Sequence, residues 1–282
     1  MVNLFEKISE LTSKHLDLVL VTVTEKSGMA PLEIGKKMLV SESGEFFGTI
    51  GGGLIEFYAL NKCKEIILNR QSLSEKYIID DGDVKPLEDE KVLPMACGGK
   101  TTLFYEFIGP KQYIYLIGSG HCSLNIAKLL KPLGFYVISI DPRDEFLSLT
   151  KDNVNEIIKD NYSNYILKNS IRNNAYFVIG TPSHKTDFEA LDTIIEKNVN
   201  PHYIGMICSR KKIVDYINHA HEKFGKDIDL SYLFAPCGIN IGGNMPEEVA
   251  LSIVSEIVGI YHKKNNYPLH MRDNCELKYW KK

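Results

Sequence analysis

The segment Gly118-Ser119-Gly120-His121-Cys122-Ser123 follows an apolar run, Tyr113 to Ile117, and opens a stretch of helical spacing. Glycines at such a junction permit a tight turn and let the backbone approach a phosphate, while the free N–H groups of the helix start attract the anion. Asp141 ends the next apolar run, near the offset of about 20 residues at which an acid binds a ribose hydroxyl in dinucleotide-binding folds. Ser123 replaces the third glycine of that pattern and Pro142-Arg143 follows the acid, so the segment points to a nucleotide-like or phosphorylated ligand without naming one. The plain alternative is a turn that serves only the fold. His121 stands where dinucleotide oxidoreductases carry an apolar residue. At a helix N-terminus its imidazolium form is disfavoured, which leaves a neutral donor, acceptor or metal ligand, or a simple capping group.

Other chemistry-bearing residues fall at comparable junctions. Thr181, His184 and Asp187 follow the run Ala175 to Gly180, and Ser209-Arg210-Lys211-Lys212 follows Tyr203 to Ile207. If these runs are parallel strands, both groups share one carboxyl edge with Gly118 and Gly120, facing the crevice where ligands collect. His121 and His184 then make a ligand or catalytic pair beside Asp187, with His184 as a solvated loop residue the alternative. Ser209 and Arg210 offer N–H donors and a guanidinium fork suited to phosphate or carboxylate, against a solvated helix start. Lys212 is expected to face water. In the first half, Cys97-Gly98-Gly99 sets a thiol beside two residues that allow a close backbone approach. A thiolate suits a soft or sulfur-bearing metal centre, whereas a single cysteine otherwise serves as a small buried hydrophobe. Gly51-Gly52-Gly53 with Glu56 is either a close-approach loop or a tight turn. Cys122 and Cys208 flank the expected crevice, while Cys63, Cys237 and Cys275 read as ordinary.

The elements that must position these residues fall into two patterns. After an opening helical stretch, Leu18 to Thr24, Lys37 to Ser41 and Glu45 to Ile50 read as strands, Leu54 to Arg70 as a helix and Thr101 to Ile108 as a strand. Asp80 to Glu90 is an acidic, turn-rich loop, and Gly109-Pro110-Lys111 breaks the pattern. Beyond it strands and helices alternate: strands at Tyr113 to Ile117, Phe135 to Ile140, Ala175 to Gly180 and Tyr203 to Ile207, helices at Ser123 to Leu133, Asp187 to Lys197 and Lys211 to His221. Such alternation implies a parallel, doubly wound sheet of Rossmann type. Pro246 to Tyr261 closes it as a helix, with Glu247 and Glu248 in the first turn. The expected organisation is an N-terminal α/β domain over residues 1–110, a Rossmann-like domain over 111–262 and a polar tail over 263–282.

Composition narrows the function. With 33 Lys+Arg against 36 Asp+Glu the formal charge is −3, which lacks the basic footprint of a nucleic-acid binder. Apolar residues at 44% and charged ones at 24% suit a globular protein. No apolar run approaches the roughly 20 residues that cross a bilayer, and Glu6, Lys7 and Glu10 interrupt any signal-peptide pattern, so a cytoplasmic protein is expected. Six scattered cysteines form no Cys-x-x-Cys pair, which argues against a disulfide framework or zinc knuckle.

These pieces, in this order, resemble the xanthine dehydrogenase accessory family (XdhC/CoxI). The matching stretches are Gly48 to Gly53 with Glu56, Cys97 to Gly99, Gly118 to His121, Asp141 to Arg143, Thr181 with His184 and Asp187, Gly205 through Ser209-Arg210 to Lys212, and Pro236 through Gly238-Ile239 to Pro246-Glu247 and on to Ile253. The resemblance implies a chaperone without its own turnover. It would bind the molybdenum cofactor, a molybdopterin or its cytosine dinucleotide, protect it during sulfuration and deliver it to a xanthine dehydrogenase-type molybdenum hydroxylase. It also implies a cysteine desulfurase as partner and a homodimer, with Cys97 as contact for the molybdenum end and Gly118, Gly120 and Asp141 at the nucleotide end. The chain departs from the family pattern at Leu32, where an arginine is usual, at Leu54, where a cysteine is common, and at Cys208, where a glycine is usual. Two rival classes remain: an NAD(P)-dependent oxidoreductase with His121 or His184 as acid/base, and a nucleotide-sensing regulatory protein.

Overall fold

The computed structural model describes residues 3–80, 90–94 and 98–263. It divides into two compact units, Met1–Lys111 and Gln112–Lys282.

The first unit is built on β1 (Leu18–Gly28), β2 (Lys37–Ser41), β3 (Phe46–Gly48), β4 (Leu73–Ile79), β5 (Glu90–Leu93) and β6 (Gly99–Ile108), in the order β3-β2-β1-β6-β4-β5. Every pairing is antiparallel except the parallel β4–β5 pair. Side chains alternate faces along β1, and both faces are covered. Val19, Val21 and Val23 pack with Ile55, Ala59, Cys63 and Ile66 of helix α2 (Leu54–Asn69), while Leu18 and Leu20 pack with Leu11 of helix α1 (Leu4–Ser13). This two-sided burial is why Leu18 to Val23 reads as an almost unbroken apolar run. Beyond it β1 continues exposed to Gly28, paired with Gly99. At the end of α2, Arg70 adopts a left-handed conformation and donates to both carboxylate oxygens of Asp17 and, at 2.8 Å, to the Pro110 carbonyl.

The second unit alternates strand and helix: β7 (Tyr113–Ile117), α3 (His121–Leu130), β8 (Tyr136–Ile140), α4 (Asp144–Thr150), β9 (Glu156–Ile158), α5 (Tyr162–Lys168), β10 (Tyr176–Ile179), α6 (His184–Glu196), β11 (Tyr203–Met206), α7 (Arg210–Phe224), β12 (Leu233–Phe234) and α8 (Pro246–Tyr261). All pairings are parallel, in the order β12-β11-β10-β7-β8-β9. On one face Tyr115 and Phe177 pack with Ile166, Leu191 and Tyr216; on the other Ile114 and Val178 pack with Ile126, Leu130, Ile253 and Ile257. Helices on both faces make this a doubly wound sheet. Its order reverses between β7 and β10, and at such a switch point the loops leaving the strands diverge to opposite faces and open a crevice. Among the described residues no helix is long and apolar enough to cross a membrane.

Candidate functional site

The carboxyl ends of β7, β8, β10 and β11 carry the residues singled out by sequence, and parallel pairing brings these ends to one edge. At the end of β7, Gly118 has φ +101°, and a Cβ there would stand 2.4 Å from the Gly180 carbonyl oxygen. Its glycine is therefore required by the loop leaving β10. Gly120 differs: its φ is −70°, nothing lies within 4 Å of where a Cβ would be, and it caps α3 with bare backbone. The N–H groups of His121, Cys122 and Ser123 open that helix, in the first turn that intrahelical bonding leaves unserved. His121 is exposed.

Asp141, fully buried at the end of β8, joins three segments. Its Oδ2 accepts from the Ser119 N–H (2.9 Å), an Arg143 terminal nitrogen (2.8 Å) and the Tyr162 hydroxyl (3.4 Å). Its Oδ1 accepts from the Arg143 N–H (3.0 Å) and Nε (2.8 Å). Burial lifts the carboxyl pKa, but the hydrogen bonds from the Arg143 side chain and the Ser119 and Arg143 backbone outweigh it and hold it below the ordinary value. Both oxygens thus serve the protein's own donors, and the group presented at this strand end is Arg143, which lies 3.9 Å over the Phe146 ring with 31% of its side chain exposed.

After β10, Asp187 plays a similar part. It is fully buried; its Oδ1 accepts from the Thr181 N–H (2.8 Å) and hydroxyl (2.7 Å), and its Oδ2 accepts from Lys212 Nζ. The expectation that Lys212 faces water is corrected. Its side chain is 7% exposed, because the first turn of α7 directs it inward to a countercharge on α6. Ser183 and Ser209 cap α6 and α7 by accepting from the N–H groups of Thr186 (3.2 Å) and Lys212 (3.3 Å), so these helices start at His184 and Arg210 rather than three and one residues later. His184 and Arg210 are exposed. Glu247 accepts from Asn125 Nδ2 (3.2 Å) and so links α8 to α3. Burial, then the nearby Glu247, push the Cys122 thiol up to about 11, and burial likewise raises Cys208 and Cys237. Pro236, Cys237, Gly238 and Ser252 line a cavity of about 250 Å³ beside the loop that follows β12.

In the first unit, the loop Gly51 to Gly53 closes on Glu56. Its Oε1 accepts from the N–H groups of Ile50 (3.0 Å), Gly51 (3.3 Å) and Gly52 (2.8 Å) and from the Thr49 hydroxyl. Burial acts to raise the Glu56 pKa, and these bonds together lower it below its ordinary value. Leu32 is buried against Gly51, and Leu54, half-buried, opens α2. Gly98 and Gly99 enter β6, where a Cβ on Gly99 would stand 2.6 Å from the Ser27 carbonyl oxygen. Cys97 lies outside the described residues. Among the described residues no group of three or more His, Cys, Asp or Glu side chains is placed to hold a metal ion.

Sequence reasoning named Lys212 and Glu248 but missed their roles: Lys212 pairs with Asp187, and Glu248 Oε2 accepts from the Asn244 and Met245 N–H groups at 3.0 Å each. The Glu248 role had a signal, an acid at the third position of a helix that opens with Pro246. Lys212 had none, since its partner lies on another helix.

Comparison with known proteins places this architecture. Residues 114–257 match the XdhC Rossmann domain, and residues 11–77 match the XdhC and CoxI family. An uncharacterized protein, YqeB of Escherichia coli K12, is 27% identical over 269 residues, covering 94% of this chain and 47% of that protein. A probable xanthine dehydrogenase subunit of Bacillus subtilis 168 is 25% identical over 159 residues, covering 56% of this chain and 46% of its own. The chain thus spans about half the length of the curated relatives it matches. Among solved structures, a xanthine dehydrogenase from Bacillus halodurans aligns over 95% of this chain and 98% of its own, with a TM-score of 0.49 at 17% identity. With one profile spanning half of its residues and a second covering most of its first unit, the chain belongs to the XdhC and CoxI family.

Proposed function

We propose that this chain is an accessory protein of a xanthine dehydrogenase-type molybdenum hydroxylase. In this reading it binds the molybdenum cofactor, as molybdopterin or its cytosine dinucleotide, and hands it to that enzyme in the cytoplasm. One observation carries it: the bare N-terminus of α3 opens at the topological switch point, with Gly120 leaving room for an approaching group. Such a helix end attracts phosphate, and His121, Arg143, His184 and Arg210 stand exposed or partly exposed at the same strand ends. That donor set fits the anionic, phosphate-bearing end of the cofactor. Family membership supplies the partner class, and one relative is named as a probable xanthine dehydrogenase subunit. Cys97 would meet the molybdenum end, a cysteine desulfurase would supply sulfur before hand-over, and two copies would pair.

A second reading, NAD(P) binding for a reaction or for regulation, rests on the same strand order and glycine turn. Asp141, whose oxygens are held by Arg143 and Ser119 rather than offered to a ribose, weighs against it and equally against a ribose contact of the dinucleotide form in the first reading. The test is retention. The protein is incubated with molybdenum cofactor and desalted, and molybdenum and oxidised-pterin fluorescence are measured per chain, with NAD and NADP titrated in parallel. Near-stoichiometric molybdenum and pterin, with molybdenum lost in Cys97→Ser, is the expected result. No retention together with tight nicotinamide binding would overturn it in favour of the second reading.

A further inference from the structure

The Asp187–Lys212 pair is buried on both sides, with 0% and 7% of the side chains exposed, and it joins the first turns of two helices that leave neighbouring strands. Burying two opposite charges costs desolvation that their attraction only partly offsets, so an apolar pair of similar volume would stabilise the fold about as well. The position of the pair matters more than its strength. Asp187 Oδ2 is taken by Lys212, and Oδ1 fixes both the N–H and the hydroxyl of Thr181. Thr181 directly follows Gly180, whose carbonyl lies where a side chain on Gly118 would be. A continuous chain of contacts therefore runs from α7 through Asp187, Thr181 and Gly180 to the Gly118 turn, across the switch point from β11 to β7.

We propose that Lys212 is a positioning residue: acting through Asp187, it holds the loop after β10 against the Gly118 turn and so sets the width of the switch-point crevice. Its effect on ligand retention rests on the function proposed above; its effect on the loop does not. The test compares Lys212→Met with Asp187→Asn/Lys212→Met in the full chain. The single variant leaves an uncompensated buried carboxylate and is destabilised, whereas the double variant is neutral at this site and recovers a thermal midpoint close to that of the unaltered protein. In the folded double variant, the amides of residues 180–187 are expected to exchange with deuterium at least tenfold faster. Retention of molybdenum cofactor after desalting is expected to fall about tenfold. Unchanged exchange in the double variant would overturn the proposal, as would faster exchange with undiminished retention. Failure of the unaltered protein to retain cofactor would instead sink the functional reading and leave the exchange result to decide the role of Lys212.

Discussion

The two glycine turns of this protein look alike in sequence and do opposite things. In the first unit, three successive N–H groups and a hydroxyl converge on one oxygen of Glu56, an anion supplied four residues beyond Gly52. In the second, only the Ser119 N–H is claimed by a carboxylate, that of Asp141, and the first turn of α3 carries no acid. One loop is filled by its own chain, whereas the helix start beside the other receives no such carboxylate. Glycine content alone does not make an anion site; what decides is whether the chain brings its own counter-anion within reach.

The most forceful way to break this contrast is Gly118→Ala. With φ at +101° and a backbone oxygen 2.4 Å from the new Cβ, the variant is expected to lose about 3 kcal/mol of stability in urea unfolding, from backbone strain plus overlap. A loss below about 1 kcal/mol would mean that the two loops yield easily. The next largest effect concerns Glu56→Ala, which removes charge-assisted hydrogen bonds worth about 1–2 kcal/mol at this partly exposed site. It also vacates the first loop. Phosphate should then shift the amide resonances of Gly51 and Gly52 in the variant and leave them unmoved in the unaltered protein; equal shifts in both would erase the contrast.

The same carboxylate makes a prediction about pH. Its folded pKa lies below the ordinary 4.5, so its stabilising contribution is complete above that value and is lost as pH falls through the folded pKa. The stability gap between Glu56→Ala and the unaltered protein should therefore be constant from pH 7 to about 5.5 and shrink on further acidification. A gap that widens with acid would contradict the assigned bonds. Smallest in stability is Gly120→Ala, at φ −70° with open space around the Cβ. It should alter the unfolding free energy by less than about 0.5 kcal/mol while weakening cofactor retention by obstructing the approach to α3.

How far the sequence could be read follows the physics of each element. The core strands of the second unit are buried on both faces, so Tyr113 to Ile117 and Tyr176 to Ile179 stand out as apolar runs. In β4, Glu75 and Lys76 interrupt the pattern, and β9 and β12 are three and two residues long, too short for periodicity to register. The turn at Gly118 and the acid at Asp141 were legible as types at a spacing. What the acid does was not, because Arg143 folds back on it through side-chain geometry that no spacing encodes. Lys212 illustrates the same limit: a lysine in a basic triplet reads as solvated until a partner 25 residues away is brought beneath it.

The N-terminus of α3 presents peptide N–H groups, with Gly120 contributing no side chain at all. A surface made of main chain responds to the charge and outline of what approaches and carries almost no chemical spelling of its own. On the function proposed above, discrimination among phosphate-bearing molecules would reside in the residues around it, Arg143, His184 and Arg210. In that reading, related chains would exchange cargo by altering that fringe while the glycine turn stays as it is.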